Sequence, residues 1–257
     1  MTPPVMLTIA GSDCSAGAGL QADMKAGAAL GCYTLTAVTC VVSEVPGHVA
    51  GLAPMEASFV ASQVRECAAA FPIAAVKTGM LYSAEIVHAV AEALPPDIPL
   101  VVDPVMIATA GESLMRAEAL EAYRQCIFPR AALVTPNIDE LLTLSGCTAI
   151  RTEDELATAA HKLAADIGCA VLAKGGHLPG DECRDILAQP GGATRTWHHR
   201  RTGGISTHGT GCTLSAAITA GLAQGLALPA AIDRALAYTA RAIATSYRWD
   251  TTFALNH

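Results

Sequence analysis

The feature that most constrains the fold is a regular alternation of short apolar runs with longer runs of helical period. The apolar runs, in chain order, are VMLTIAG, LTAVTCVVS, AAVKTG, LVVDPVM, ALVTPN and AVLAKGG. The helical runs lie at 19–30, 57–70, 84–94, 118–127, 153–167, 212–225 and about 230–247. Because the apolar runs lack polar alternation, they are typical of strands buried on both faces. The pattern therefore predicts a mostly parallel sheet between two helical layers.

The chain reads as one unit. No Pro/Ser-rich linker and no internal repeat divides its 257 residues, so we expect a single α/β domain over residues 1–257. The irregular stretch HLPGDECRDILAQPGGATRTWHHRRTGGI predicts a small antiparallel pair near the sheet edge. A hydrophobic fraction of 52% with only 15% charged residues excludes a disordered chain or a coiled coil.

Composition also excludes several classes of partner. The net charge is −7 and the only basic cluster is the short HHRR, so nucleic acid is not expected as the main partner. No apolar run is long enough to span a membrane, and MTPPVMLTIAGSD does not resemble a signal peptide. Nine cysteines without a C-x-x-C pair favour reduced thiols over disulfides or a zinc site. We therefore expect a cytoplasmic protein without a membrane partner.

A ligand site is predicted at one edge of the sheet, because open α/β sheets bind ligands beyond the carboxyl ends of their strands. The residues that follow the predicted strands are mostly small or polar. They are Gly11-Ser12-Asp13, Glu44, Lys77-Thr78-Gly79-Met80, Asp103-Pro104, Pro136-Asn137 and Lys174-Gly175-Gly176.

The strongest local motif is THGTGC, where a glycine-rich turn opens a helix. Gly209, Thr210 and Gly211 would present backbone N–H groups to an anion, and the helix start adds partial positive charge. The same field lowers a cysteine pKa, which predicts that Cys212 forms a thiolate that accepts a proton. The alternative is a plain turn before a core helix that carries a buried cysteine.

A second small-residue turn, GSDCSAGAGLQADMKA, follows the first strand. Its spacing does not match the dinucleotide fingerprint, since Gly17-Ala18-Gly19 is followed by Ala22. Asp23 could face a small ligand from the first helix, or it could simply favour the helix N-terminus.

Acidic and basic side chains at other strand ends suit a phosphate and a magnesium ion. Asp103 could reach Mg²⁺ through water, and Lys174 could neutralise phosphate. Asn137 and Glu140 lie one helical turn apart, either serving the same cluster or forming an ordinary helix cap.

Together these motifs resemble the hydroxymethylpyrimidine/phosphomethylpyrimidine kinases of thiamine biosynthesis, within the ribokinase-like superfamily. The matching segments are LTIAGSD, GAGLQADMKA, ALGCY, KTGML, VVDPVM, VTPN, KGGHLPGDE and STHGTGCTLSAAI, in order over nearly the whole chain. The resemblance implies a three-layer α/β/α fold. It also implies ATP- and Mg²⁺-dependent phosphorylation of 4-amino-5-hydroxymethyl-2-methylpyrimidine and of its monophosphate, and a homodimer.

The resemblance also implies a set of site residues. Cys212 takes the place of the aspartate base of ribokinase relatives, with Lys174 as the second catalytic residue. The others are Gly209, Thr210 and Gly211 in the anion hole; Asn137, Lys174 and Thr207 toward ATP; Asp103 and Glu140 toward metal; and Asp23, Val42, Glu44 and Met80 toward the pyrimidine.

The sequence departs from the family pattern at Glu44, where the customary residue is glutamine. An ionised carboxylate only accepts hydrogen bonds, so it can pair with a protonated aminopyrimidine and repel the ionised phenolic oxygen of pyridoxal. We hypothesise that Glu44 selects the pyrimidine; alternatively, residue 44 points away and the neighbouring backbone contacts the ring.

The C-terminal stretch RWDTTFALNH also departs, since it lacks the family's His/Gly-Pro segment. Three other functions are alternatives to the pyrimidine kinase. They are a pyridoxal/pyridoxine kinase, a non-catalytic vitamin-binding domain and, last, a thiol oxidoreductase.

Overall fold

The computed structural model describes residues 2–106, 117–201 and 208–257. Its helices are α1 (Gly19–Ala29), α2 (Ala57–Ala70), α3 (Ala84–Ala93), α4 (Ala117–Ala122), α5 (Ile138–Ser145), α6 (Glu153–Ile167), α7 (Thr210–Ala223) and α8 (Leu228–Ala244). Its strands are β1 (Val5–Asp13), β2 (Tyr33–Val45), β3 (His48–Pro54), β4 (Ile73–Thr78), β5 (Leu100–Val102), β6 (Leu133–Val134), β7 (Ala170–Lys174), β8 (Glu182–Ala188), β9 (Thr194–Arg200), β10 (Tyr247–Trp249) and β11 (Thr252–Ala254).

Over the described residues, the central sheet has nine strands in the order β3-β2-β1-β4-β5-β6-β7-β8-β9. The six strands from β2 to β7 in this order are mutually parallel. The edge strands β3, β8 and β9 pair antiparallel to their neighbours. Because the parallel strands share one direction, their carboxyl ends lie at one edge of the sheet.

The core lies in two apolar clusters, one on each face of the sheet. Side chains of β1 separate by alternation: Leu7 and Ile9 pack with α2, α3, α5 and α6, whereas Met6 packs with α7 and α8. This alternation places one helical layer on each face, as strand geometry requires. The predicted three-layer α/β/α fold with a mostly parallel sheet is confirmed.

Most predicted elements are present. All six predicted strands form, and the stretch after β7 folds into the predicted antiparallel pair, β8 and β9, at the sheet edge. The run at 118–127 is helical, but α4 changes to a π-helical turn at Tyr123–Ile127 and a 3₁₀ turn at Phe128–Arg130. The strand β3 and the hairpin of β10 and β11 were not predicted.

The sequence predicts no segment that is long and apolar enough to span a membrane. Among the parts of the chain that the structure describes, no helix combines the length and apolarity needed to cross a bilayer.

Candidate active site

One cavity of about 520 Å³ follows the carboxyl edge of the sheet. It passes residues at the ends of β1, β2, β4, β5, β7, β8 and β9, and one wall is formed by α7 and α8. The cavity gathers most of the predicted site residues. Those that line it are Val42, Glu44, Met80, Asp103, Asn137, Glu140, Lys174, Gly209, Thr210, Gly211 and Cys212.

The glycine-rich turn before α7 is shaped by close backbone contact. Gly209 is the N-cap of α7 with φ +81°, a left-handed conformation that favours glycine. A Cβ on Gly209 would lie 1.8 Å from the carbonyl oxygen of Gly17, so no larger residue fits between the two loops. The first turn of α7 therefore lies against the β1–α1 loop and beside the cavity, and a helix start of this kind favours an anion.

Lys174 and Asp103 form an ion pair beside this helix start. The Nζ of Lys174 lies 3.0 Å from Oδ1 of Asp103, and Ser215 and Thr135 also donate to that carboxylate. A Cβ on Gly211 would lie 3.1 Å from the same Nζ, so the ammonium reaches the first turn of α7. Although burial raises the pKa of Asp103, Lys174 and Lys77 outweigh it and the pKa of Asp103 is lowered. The pair therefore places a fixed positive charge next to the first turn of α7.

Asn137 and Glu140 form the helix cap that was one of their two predicted uses. The Glu140 N–H donates to Oδ1 of Asn137 at 2.9 Å, and the Asn137 N–H donates to Oε2 of Glu140 at 2.8 Å. Burial, together with the charge of Asp103, raises the pKa of Glu140 to about 7, against the opposing effect of Lys174. The same two residues line the cavity, so the cap also holds a buried carboxyl group at its wall.

The residues present fit a magnesium ion of the kind that kinases use. Asp103 and Glu140 are both buried, line the same cavity and repel each other's charge, which an added cation would relieve. The described segments contain no cluster of three or more His, Cys, Asp or Glu side chains that could hold a metal alone. A donor set of one or two carboxylates suits Mg²⁺, which completes its coordination with water and substrate phosphate.

Cys212 lines the middle of the cavity, but the predicted lowering of its pKa is wrong. Burial raises the pKa of the Cys212 thiol to about 12, with Asp103 and Asp23 acting in the same direction. Lys77 and a hydrogen bond from the Gly19 backbone lower it by less. Desolvation of a thiolate thus outweighs the helix start, which the sequence pattern alone could not weigh.

Asp23 lies beneath the cavity rather than among its lining residues. Its Oδ2 accepts a hydrogen bond from Thr8 at 2.5 Å, and both of its carboxylate oxygens lie 2.8 Å from Nζ of Lys77. Asp23 is fully buried and does not line the cavity, whereas Val42, Glu44 and Met80 do line it. Its predicted contact with substrate stays a prediction, and Thr207 lies outside the described residues.

Asp13 organises the turn after β1, a role that sequence reasoning missed. Its carboxylate accepts hydrogen bonds from the N–H groups of Ser15, Gly17 and Ala18 and from the Ser15 hydroxyl, at 2.7–3.0 Å. The Nε2 of His208, in the turn before α7, lies 3.1 Å from its Oδ2. Although burial opposes ionisation, these contacts lower the pKa of Asp13 to about 2. The carboxylate therefore ties the two loops of the cavity together.

Solved structures that are similar to this one include a pyridoxal kinase and a phosphomethylpyrimidine kinase. The ADP complex of Bacillus subtilis pyridoxal kinase superposes with a TM-score of 0.91 at 31% identity, over 100% of this chain and 98% of that one. Phosphomethylpyrimidine kinase from Clostridium difficile superposes with a TM-score of 0.80 at 34% identity, over 93% and 99% of the two chains. The fold and the cavity define a ribokinase-like phosphotransferase.

Sequence comparison shows which family of ribokinase-like phosphotransferases the chain matches. The family described as phosphomethylpyrimidine kinase matches residues 13–255. The hydroxymethylpyrimidine/phosphomethylpyrimidine kinase of Streptomyces coelicolor is 41% identical, over 96% of this chain and 91% of its own length. The chain belongs to the phosphomethylpyrimidine kinase family.

The Asp13 contacts generate a stability prediction. Because the pKa of Asp13 falls from 3.8 to about 2 on folding, its ionised form stabilises the fold above about pH 4, and this contribution is lost between about pH 4 and 2. We expect Asp13→Asn to lower the free energy of unfolding at pH 7 by about 2 kcal/mol, because an amide cannot accept all these donors. Urea unfolding at pH 7 and at low pH would measure this.

The control for this measurement is Asp181→Asn, which changes an exposed carboxylate. The deficit of Asp13→Asn should narrow as the pH falls from 4 toward 2, while Asp181→Asn stays close to the wild type throughout. Equal unfolding free energies for Asp13→Asn and wild type at pH 7 would show that Asp13 does not hold these loops.

Proposed function

We propose that this protein phosphorylates 4-amino-5-hydroxymethyl-2-methylpyrimidine with ATP, and then phosphorylates the monophosphate to the diphosphate, for thiamine biosynthesis. The observation that carries the proposal is that the α7 start, Lys174 and Asp103 line the same cavity as Val42, Glu44 and Met80. A phosphate-binding turn and a pocket for a small ring thus open into one space. The name of the Streptomyces coelicolor relative supports both phosphorylation steps.

The γ-phosphoryl group of ATP would be transferred in line to the substrate hydroxyl. The substrate oxygen bonds to the γ-phosphorus as the bond from that phosphorus to the bridging β–γ oxygen breaks, leaving ADP. The N–H groups at Gly209–Cys212 and the ammonium of Lys174 stabilise charge on the transferring group and on the β-phosphate. Asp103 holds Lys174 in place for this role.

Asp103 and Glu140 would hold Mg²⁺, with Asn137 close to the nucleotide phosphates. The ion supplies neutralisation of phosphate charge when it is bound. These residues contribute by keeping two carboxyl groups buried at one cavity wall, within hydrogen-bonded networks that fix their orientation.

Cys212 would take the proton of the substrate hydroxyl in the first phosphorylation. A thiol with a raised pKa supplies few thiolates at neutral pH, but each thiolate is a stronger base toward an alcohol. The proton moves from the substrate hydroxyl to Sγ of Cys212 as the oxygen–phosphorus bond forms. Sγ then releases this proton to water before the next turnover. The second phosphorylation starts from a phosphate oxygen that is already ionised, so it needs no base.

The side chain of Glu44 would contact the substrate ring. The backbone of Glu44 is hydrogen-bonded to Cys14. The Sγ of Cys14 lies 3.1 Å from the Glu44 carbonyl oxygen and 3.3 Å from the Glu44 backbone nitrogen. Glu44 lines the cavity together with Val42 and Met80. This arrangement supports recognition by the carboxylate more than recognition by the backbone of residue 44.

A pyridoxal kinase is the second candidate, because the Bacillus subtilis enzyme of that name superposes so closely. The family match and the identity to the Streptomyces coelicolor enzyme favour the pyrimidine kinase. Glu44 supplies a physical reason, since a carboxylate repels an ionised phenol and pairs with a protonated aminopyrimidine.

The remaining assignments stay predictions. We propose a cytoplasmic enzyme that acts as one domain over residues 1–257 and forms a homodimer. The exposed apolar side chains Val41 and Val45 on β2, near the open edge of the sheet, support an interface at that edge. Sedimentation analysis of the purified chain would determine the oligomeric state.

Replacing Cys212 tests the proposed proton transfer. We expect Cys212→Ala to lower kcat for the first phosphorylation by about 10²- to 10⁴-fold, while the KM for the pyrimidine changes little. The second phosphorylation should fall by much less, because its nucleophile carries no proton. Coupled ADP release with each substrate, with product analysis, would measure both steps.

Cys67→Ala is the matched control, since Cys67 lies on α2 on the opposite face of the sheet from α7. It should keep both activities. Near-normal turnover of the first step in Cys212→Ala would remove this cysteine from the mechanism.

Replacing Glu44 tests substrate selection. We expect the wild type to favour hydroxymethylpyrimidine over pyridoxal, and Glu44→Gln to shift the ratio of the two kcat/KM values toward pyridoxal by about tenfold. The measurement is ADP release with each substrate for both proteins. A wild type that prefers pyridoxal, or an unchanged ratio in the variant, would contradict the role of Glu44.

A further inference from the structure

A fully buried lysine, Lys77, lies beneath the middle of the cavity. Its side chain and that of its partner Asp23 have no solvent exposure, yet Lys77 is among the residues that line the cavity. In the sequence, Lys77 stands out only as a residue at a strand end. None of the roles assigned above uses its charge, so its position needs a separate explanation.

The surrounding strands aim Lys77 toward the helix that carries Cys212. Lys77 pairs in register with Thr8 of the neighbouring parallel strand, and Ala75, two residues earlier, packs in the cluster formed with α7 and α8. Because side chains alternate along a strand, Lys77 and Ala75 point to the same face. The ammonium is therefore directed into the layer that contains α1 and α7.

Asp23 holds the ammonium in this place, and Thr8 holds Asp23. Asp23, on α1, receives it at 2.8 Å on both carboxylate oxygens, and Thr8, on β1, donates to Asp23 at 2.5 Å. Gly79 lies beside it, where an added Cβ would lie 3.3 Å from Nζ. The charge is thus fixed by hydrogen bonds, and a side chain at position 79 would crowd it.

Stability alone does not explain this pair. The desolvation of two buried charges offsets their attraction, and apolar side chains of similar volume commonly serve a fold as well or better. A buried pair at the wall of a reaction cavity is instead typical of a group that tunes its neighbour.

Resting on the proposed function, we infer that Lys77, held by Asp23 and Thr8, is a positioning residue that stabilises the thiolate form of Cys212. Lys77 touches neither substrate in this role and acts through the cysteine. When Sγ gains the proton of the substrate hydroxyl and later releases it to water, Lys77 stays protonated and favours the charged state of sulfur.

The charges around Cys212 agree with this assignment. The groups that face it are Lys77 on β4, Asp23 on α1, Asp103 after β5 and Lys174 at the end of β7. Among these, Lys77 lowers the pKa of Cys212 most strongly against the effect of burial. Although burial opposes its charge, Asp23, Cys212 and Asp103 together raise the pKa of Lys77, so it remains an ammonium.

The test compares two variants that share a neutral residue 23. Asp23→Asn retains the lysine charge, whereas Asp23→Asn/Lys77→Met removes it without leaving an unpaired carboxylate. The readout is the rate of alkylation of Cys212 by iodoacetamide at pH 7.5, followed by mass spectrometry of the peptide that contains Cys212. It requires no substrate, so it stands or fails independently of the proposed function.

We expect alkylation of Cys212 to be slower in the double variant by about three- to tenfold, since a higher thiol pKa reduces the thiolate more than it raises its nucleophilicity. Asp23→Asn/Lys162→Met is the matched control, because Lys162 is exposed on α6, and it should react like Asp23→Asn. A ratio below about threefold between the two main variants, with both folded by thermal melting, overturns the assignment.

If the Asp23→Asn variants do not fold, a second comparison provides the test. Asp23→Leu/Lys77→Met replaces the ion pair by apolar side chains of similar volume and is compared with the wild type. The same slowing of Cys212 alkylation supports the assignment, and unchanged alkylation overturns it. For a chain active in both steps, the loss of Lys77 should lower kcat of the first phosphorylation more than that of the second.

Discussion

The carboxylate of Asp13 holds the cavity together, because four donors of the loop after β1 converge on it and His208 reaches it from the loop before α7. This places the starts of α1 and α7 side by side, with the Gly19 N–H directed at Cys212. The backbone N–H groups at two helix starts create a region suited to negative charge. Lys174 and Lys77 line the same cavity and add positive charge beside that region.

The buried charged side chains of the site form two ion pairs. Asp103 lies against Lys174, and Asp23 lies against Lys77, so each ammonium is held by one carboxylate and faces the cavity from within a largely apolar sheet. Since each buried ion is costly alone, the pairs allow positive charge to be fixed at the cavity, where the proposed function requires phosphate to bind. Glu140, held in its helix cap, adds the carboxyl group that a cation would neutralise.

The sequence allowed the sheet to be predicted, because the strand LVV and the first four residues of AVLAK are apolar throughout. The strand β3 was missed because HVAGLAP is poor in strand-forming residues, is mostly exposed and depends on pairing with β2. At the site, strand ends indicated Asp103 and Lys174 correctly as cavity residues, and the glycine-rich turn before α7 indicated Cys212. The contacts of Asp13 and Lys77, and the raised pKa of Cys212, depend on burial and on partners far along the chain, which local patterns do not contain.

The loop that contains Gly17 and the loop that contains Gly209 pack against each other without space for a side chain between them. These two loops lie close together in space, and the Asp13–His208 contact beside them spans 195 positions of sequence. Closing so long a loop is among the slow events of folding, since the chain must lose much entropy before such a contact forms. The turn before α7 is therefore complete only when two segments that lie far apart in the sequence have docked.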